Sequence, residues 1–152
     1  MKHGKSPDAL KTPLDDPCCC FYMRRAARLL TRQYAETMKE SGLKSSQFSI
    51  LTILTSDRTL TISELASKMG LERTSLSRTL RPLIKEGLVL LSDEQERRRR
   101  FVSLTSKGVA TYRKALPLWN SAQKQFEDQL GTKDLQTLKL LLKRTAEVVG
   151  EV

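Results

Sequence analysis

Apolar residues recur with a helical period along most of the chain and change to a strand-like run only once, near its middle. From position 18 to about 40, Phe21, Ala27, Leu30, Tyr34 and Met38 are expected to face inward, with a stop near Gly42. A helix over 46–56 would bury Phe48, Ile50, Leu51, Ile53 and Leu54. Thr61-Ile62-Ser63-Glu64 then forms an [ST]-x-x-E capping box, in which the hydroxyl accepts from an orphan amide while the carboxylate reaches back to the cap's own amide. Ile62, Leu65, Ala66 and Met69 follow as one stripe, and Gly70 stands where a left-handed residue ends a helix. Over 73 to about 86, Leu76, Leu80, Leu83 and Ile84 make an inner face, with Gly87 as the stop. Pro82 removes an amide there and crowds the carbonyl of Arg78, which predicts a kink.

After Gly87, Leu88-Val89-Leu90-Leu91 reads as a strand, 92–96 as a polar turn and Phe101-Val102-Ser103-Leu104 as the returning strand. Thr105 would cap a long helix to about position 130. Beyond Gly131 the segment 133–149 sets Leu135, Leu138, Leu142, Ala146 and Val149 on one stripe, widened by Leu141 and Val148. The prediction is a mainly α chain with a small β-wing, a winged helix-turn-helix flanked by N- and C-terminal helices. Its parts would be a mobile arm over 1–17 and a single domain over 18–152, in which 45–105 form the winged helix-turn-helix lobe. The helices of 18–44 and 106–152 carry more apolar surface than so small a lobe can cover. A twofold dimer in which these helices interlock accounts for the surplus; a monomer with helices folded back on its own core is the alternative.

Charge sharpens this picture. The 152 residues carry 27 Lys/Arg against 17 Asp/Glu, a formal net charge of +10, which favours a polyanionic partner. On the outer face of the 73–86 helix stand Arg73, Thr74, Ser75, Ser77, Arg78 and Arg81, donors and hydroxyls of the kind that reach base edges and phosphates from the major groove. Between the two strands lie Arg97, Arg98, Arg99 and Arg100. Four adjacent guanidiniums repel one another, so an exposed hairpin tip facing a phosphate backbone or a narrow minor groove suits them. Either feature alone is what a solvated surface carries; a polar helix face followed directly by a basic hairpin points to double-stranded DNA.

The segment from Glu96 to Thr105 resembles the D-x-R-x-x-x-V-x-L-T wing signature of the MarR (multiple-antibiotic-resistance regulator) family. Ile62-Ser63-Glu64-Leu65-Ala66 is similar to the first helix of that family's DNA-binding motif, and Leu76-Ser77-Arg78-Thr79-Leu80 to its recognition helix. The resemblance implies that Arg98 enters the minor groove, supported by Glu96 in place of an aspartate, with Arg97 and Arg99 beside it. It further implies a cytoplasmic homodimeric repressor that binds an inverted-repeat operator and is relieved by a small aromatic or phenolic effector at the junction of dimerisation helices and DNA-binding lobe, where Trp119 would line a pocket or simply pack. Glu72 departs from the shorter residue often found there, and glutamate caps a helix poorly.

Other functions lack the residues they need. The only histidine is His3, no Gly-rich phosphate loop appears, and no cofactor is expected. Consecutive cysteines, Cys18-Cys19-Cys20, lack the spacing of a metal site, so no metal is expected either. No run of 18 apolar residues predicts a membrane span, and residues 1–17 have no apolar signal segment. The cysteines leave two readings open, buried small hydrophobes or a reactive thiol at a helix start with Arg24 and Arg25 one turn on. Cys20-Phe21 and Gln33-Tyr34 resemble the sensing cysteine and partnering tyrosine of the organic-hydroperoxide branch of the MarR family, although Arg24 and Ser45 replace two further tyrosines. Thiol-based peroxide sensing through Cys20 is therefore an alternative mode of control. A basic architectural module without operator specificity is the other alternative, and it explains the charge but not the helix-plus-wing order.

Overall fold

The computed structural model describes residues 17–57, 59–94 and 99–150, with backbone only for Asp93, Glu94 and Arg99. The expected N-terminal arm therefore lies, up to residue 16, outside the described residues. The elements in order are α1 (Cys19–Thr37), a short 3-10 turn (Lys39–Ser41), α2 (Ser45–Asp57), β1 (Thr59–Thr61), α3 (Ile62–Met69), α4 (Arg73–Lys85), β2 (Val89–Glu94), β3 (Arg99–Leu104), α5 (Ser106–Leu130) and α6 (Thr132–Gly150). The described residues fall into two units that divide between Arg32 and Gln33. In the first, the described part of α1 carries no buried residue, and Ala27, expected inward, is exposed. A helical period shows which residues share a face; whether anything covers that face is a separate matter.

In the second unit, helix ends fall where local chemistry puts them. Thr61 accepts from the Glu64 amide at 3.2 Å while a Glu64 carboxylate oxygen accepts from the Thr61 amide at 2.8 Å, completing the capping box. At the other end of α3, Gly70 adopts φ 61°, its amide donates to the Ser67 carbonyl, and the Leu71 amide donates to that of Ala66. The end of α4 repeats this Schellman arrangement, with Gly87 bonded to Ile84 and Leu88 to Leu83. Leu83 and Leu88 are both buried, so the turn that stops the helix also anchors the following strand. α4 continues through Pro82 to Lys85. Ile84 is 36% exposed rather than inward, because Leu83 takes the inner position of that last turn.

The sheet has three antiparallel strands in the order β1-β3-β2. β1, absent from the sequence reading, pairs Thr59 with Ser103 and Thr61 with Phe101. The hairpin is also longer than expected: Ser92 to Glu94 belong to β2, and Arg99 and Arg100 to β3 rather than to its tip. In the register Asp93 stands opposite Arg100 and Glu94 opposite Arg99.

Phe48, Ile50, Leu51 and Leu54 of α2, Leu65 of α3, Leu76, Leu80 and Leu83 of α4, Val89, Val102 and Ala115 form one buried core. It fixes α4 from behind. Phe48 stacks on Tyr112 with ring centroids 5.3 Å apart and on Trp119 at 5.7 Å, joining α5 to the core. Thr105 ties the start of α5 to the end of α4: its hydroxyl accepts from the Gly108 amide at 2.9 Å and donates to the Gly87 carbonyl at 2.7 Å. Only Leu135 of α6 is buried, whereas Leu140, Leu141, Leu142, Val148 and Val149 are exposed in the single chain.

Candidate nucleic-acid interface

α4 separates its residues into two functions by turning 100° per residue. Leu76, Leu80 and Leu83 are each no more than 1% exposed, while Arg73, Thr74, Ser75, Ser77, Arg78 and Arg81 all face solvent. The buried leucines hold the helix rigid, so the outward side chains start from fixed Cα positions, as groove reading requires. Ser77 donates its hydroxyl proton to the Arg73 carbonyl at 2.8 Å, which leaves its oxygen free to accept from a base amino group. Glu72 takes the N-cap position with an extended backbone and makes no side-chain cap bond. The first amides of α4 are therefore available to an external acceptor.

A cavity of about 630 Å³ opens on this side, lined by Thr61, Ile62, Ser63, Glu64, Arg73, Ser77 and Arg100. It joins the start of α3, the outward face of α4 and the root of the wing into one concave surface. Arg73 and Arg100 bring positive charge to it, Ser63 and Ser77 bring hydroxyls, and Glu64 brings a carboxylate bonded to Thr61, so two cations against one anion leave a surplus that suits a phosphate backbone. Arg100, expected at the hairpin tip with its three neighbours, is instead brought to the root of the wing by its place in β3. Its strand pairing could have been found from the acidic residues at 93 and 94. Glu96, Arg97 and Arg98 lie outside the described residues, as does the Arg99 side chain.

The remaining candidates are elsewhere. Trp119 is half-buried and stacks on Phe48, which also stacks on Tyr112. Tyr34 donates its hydroxyl to Gln123 Oε1 at 2.7 Å, and burial raises its phenol pKa above the ordinary 10.0. Thr37 bonds Gln125 and Gln33 bonds Gln129, which fastens the end of α1 to α5. Cys18, Cys19 and Cys20 are free thiols, exposed in the single chain. Among the described residues no three His, Cys, Asp or Glu side chains gather as metal ligands, and no helix is long and apolar enough to cross a membrane.

Comparison with known proteins places this geometry. The MarR family profile matches residues 43–100, from the end of the 3-10 turn to the wing. The homoprotocatechuate degradative operon repressor of Escherichia coli is 31% identical over 106 residues, covering 69% of this chain and 72% of the repressor. The HTH-type transcriptional regulator FarR of Neisseria gonorrhoeae is 28% identical over 125 residues, covering 82% of this chain and 86% of FarR. Among solved structures, the Mycobacterium tuberculosis transcriptional regulator MosR in complex with DNA superposes with a TM-score of 0.76 at 35% identity, covering 87% of this chain and 98% of MosR. With the recognition helix, the wing and these relatives in agreement, the chain belongs to the MarR family of DNA-binding transcriptional regulators, which are not enzymes.

Proposed function

We propose that the protein is a homodimeric, sequence-specific repressor that binds an inverted-repeat operator in double-stranded DNA. The observation that carries this reading is the division of α4 into a buried leucine face and an outward face of Arg73, Thr74, Ser75, Ser77, Arg78 and Arg81. Two such helices related by a dyad enter successive major grooves about 34 Å apart, so a half-site is read twice. The exposed apolar residues of α6 support the dimer, since a monomer leaves them in water. The name of the Escherichia coli relative as an operon repressor supports the sign of regulation. Within each lobe, Ser75, Ser77 and Arg78 read bases, whereas Arg97, Arg98 and Arg99 contact the backbone and minor groove without choosing a sequence, with Glu96 as the support for Arg98.

The test is binding to an inverted-repeat duplex selected from random sequence and to a scrambled duplex of equal length, over a series of salt concentrations. The proposed function predicts a large affinity ratio between them, on the order of 10³ or more, and salt-dependent binding to both. Equal affinities would leave only a non-specific architectural role. Arg98→Ala should weaken both duplexes alike.

The proposed effector is a small aromatic or phenolic compound bound at the junction of α5 with the DNA-binding lobe, where Phe48, Tyr112 and Trp119 give an apolar wall. It acts by binding the DNA-free form more tightly, so operator and effector must lower each other's affinity by the same factor. Trp119 is the sole tryptophan, which makes its fluorescence a direct readout. A second control is favoured by one observation: the Cys20 thiol is exposed at the start of α1 and open to an organic hydroperoxide. Oxidation of that sulfur to the sulfenic acid reduces the peroxide to the alcohol. Tyr34, its expected partner, is occupied by Gln123 within the chain. Operator binding by the wild type and by Cys20→Ser, before and after one equivalent of organic hydroperoxide, decides this; a loss that is the same in both removes Cys20 from the switch.

A further inference from the structure

The arginines of α1 are not among the side chains assigned above to an operator. Arg24, Arg28 and Arg32 follow one another at i, i+4 and i+8, and with Arg25 they occupy about 100° of helix circumference. All four are exposed. The ion pairs among the described residues include Lys68 with Asp57, Lys124 with Asp128 and Lys143 with Glu147, and none of the four arginines makes an ion pair or hydrogen bond there. Like charges at i, i+4 work against the helix that carries them. Nor does the neighbouring sequence neutralise them: residues 1–32 contain seven Lys/Arg against three Asp/Glu.

We propose that this arginine row is a second polyanion-binding surface, separate from α4 and the wing, which takes the phosphate backbone of duplex DNA without reading its sequence. Successive arginines of the row are about 6 Å apart along the helix axis. Adjacent phosphates of one strand, separated by a rise of about 3.4 Å and the turn of the duplex, are roughly 7 Å apart through space, a difference that flexible arginine side chains absorb. A guanidinium bonds two phosphate oxygens at once and gives up little hydration, which suits Arg rather than Lys for this task. A second copy of the chain is a poorer occupant, because with a net charge of +10 it offers no acidic surplus. The proposal rests on the protein being a duplex-DNA binder and is indifferent to which bases α4 reads.

The experiment compares the full-length wild type with the triple variant Arg24→Gln, Arg28→Gln, Arg32→Gln on a long duplex that lacks the inverted repeat and on a long duplex that contains it. The readout is the slope of log affinity against log salt concentration. Each phosphate contact contributes about 0.9 to that slope, so the variant should be shallower by roughly 2 to 3 units for each row of the dimer that meets DNA, on both duplexes, with the ratio of operator to random affinity kept. A triple Arg→Lys variant should retain most of the slope, and Arg28→Gln alone should lose about one unit per row, which separates lost charge from lost folding. Unchanged slopes in the triple variant overturn the proposal. So does a triple variant that becomes monomeric at a concentration where the wild type is dimeric, since the row is then an interface between copies. A difference that appears on phosphatidylserine-containing vesicles but not on DNA equally rules out the assigned occupant. Failure of the wild type to discriminate operator from random DNA, with its salt slope intact, sinks the repressor reading and leaves the arginine row standing.

Discussion

Among the described glycines, Gly108 is the one with no room for a side chain. A Cβ built on it would lie 2.0 Å from the Leu88 carbonyl oxygen and 3.1 Å from a Leu104 methyl, so α5 can begin against β2 only with glycine at this position. Gly108→Ala should destabilise the protein by about 1–3 kcal/mol, or more if the backbone resists moving, because the atom in the way is backbone and cannot rotate aside. Chemical denaturation at fixed salt measures it. An unchanged midpoint would show that the α5 start shifts freely. The sequence carries a sign of Thr105, a cap residue, but none of this close approach: the glycine three residues on reads as an ordinary flexible position until Leu88 is folded beside it.

At the scale of elements, local signals were legible and distant ones were not. The capping box of α3 and the glycine stops after Met69 and Glu86 depend on residues adjacent in the chain, and they stand where the residues alone put them. β1 depends on pairing with β3 some forty residues on, and its three residues carry no periodicity. The wing's extension through Arg99 and Arg100 likewise arises from cross-strand partners. The outward face of α4 was legible in full, because the leucines that define it also name its opposite. Its missing cap gives a prediction. Glu72 has the extended backbone of an N-cap but no side-chain bond, so Glu72→Asp should stabilise the fold by about 0.5–1 kcal/mol by accepting from a first-turn amide. The same change occupies an amide otherwise open to phosphate, and DNA affinity should fall or stay level rather than rise. Thermal unfolding together with operator titration reads both, and a lower melting temperature would mean that the Glu72 backbone does not serve as the cap.

For the whole molecule, the proposed dimer has its sharpest support in α6, where Leu140 and Val149 are each 67% exposed and Leu142 is 46% exposed. Leu142→Glu combined with Val149→Glu places two carboxylates in any interface built on that stripe, which costs several kcal/mol when they are buried without partners. The variant should sediment as a monomer at concentrations where the wild type is a dimer, with the circular dichroism of a folded helical protein retained. A variant that remains dimeric would move the interface off this stripe. A monomer should also lose most of its preference for two half-sites over one, because the dyad supplies that preference.

If α4 reads base sequence from its outward face, Arg78→Ala should change base preference and not affinity alone. Affinities for a set of duplexes carrying every single-base change in one half-site, at one salt concentration, should show preference relaxed by about 1–3 kcal/mol at one position and kept at the others. A uniform loss across all duplexes, with the pattern of preference unaltered, would contradict the account and assign Arg78 to the backbone.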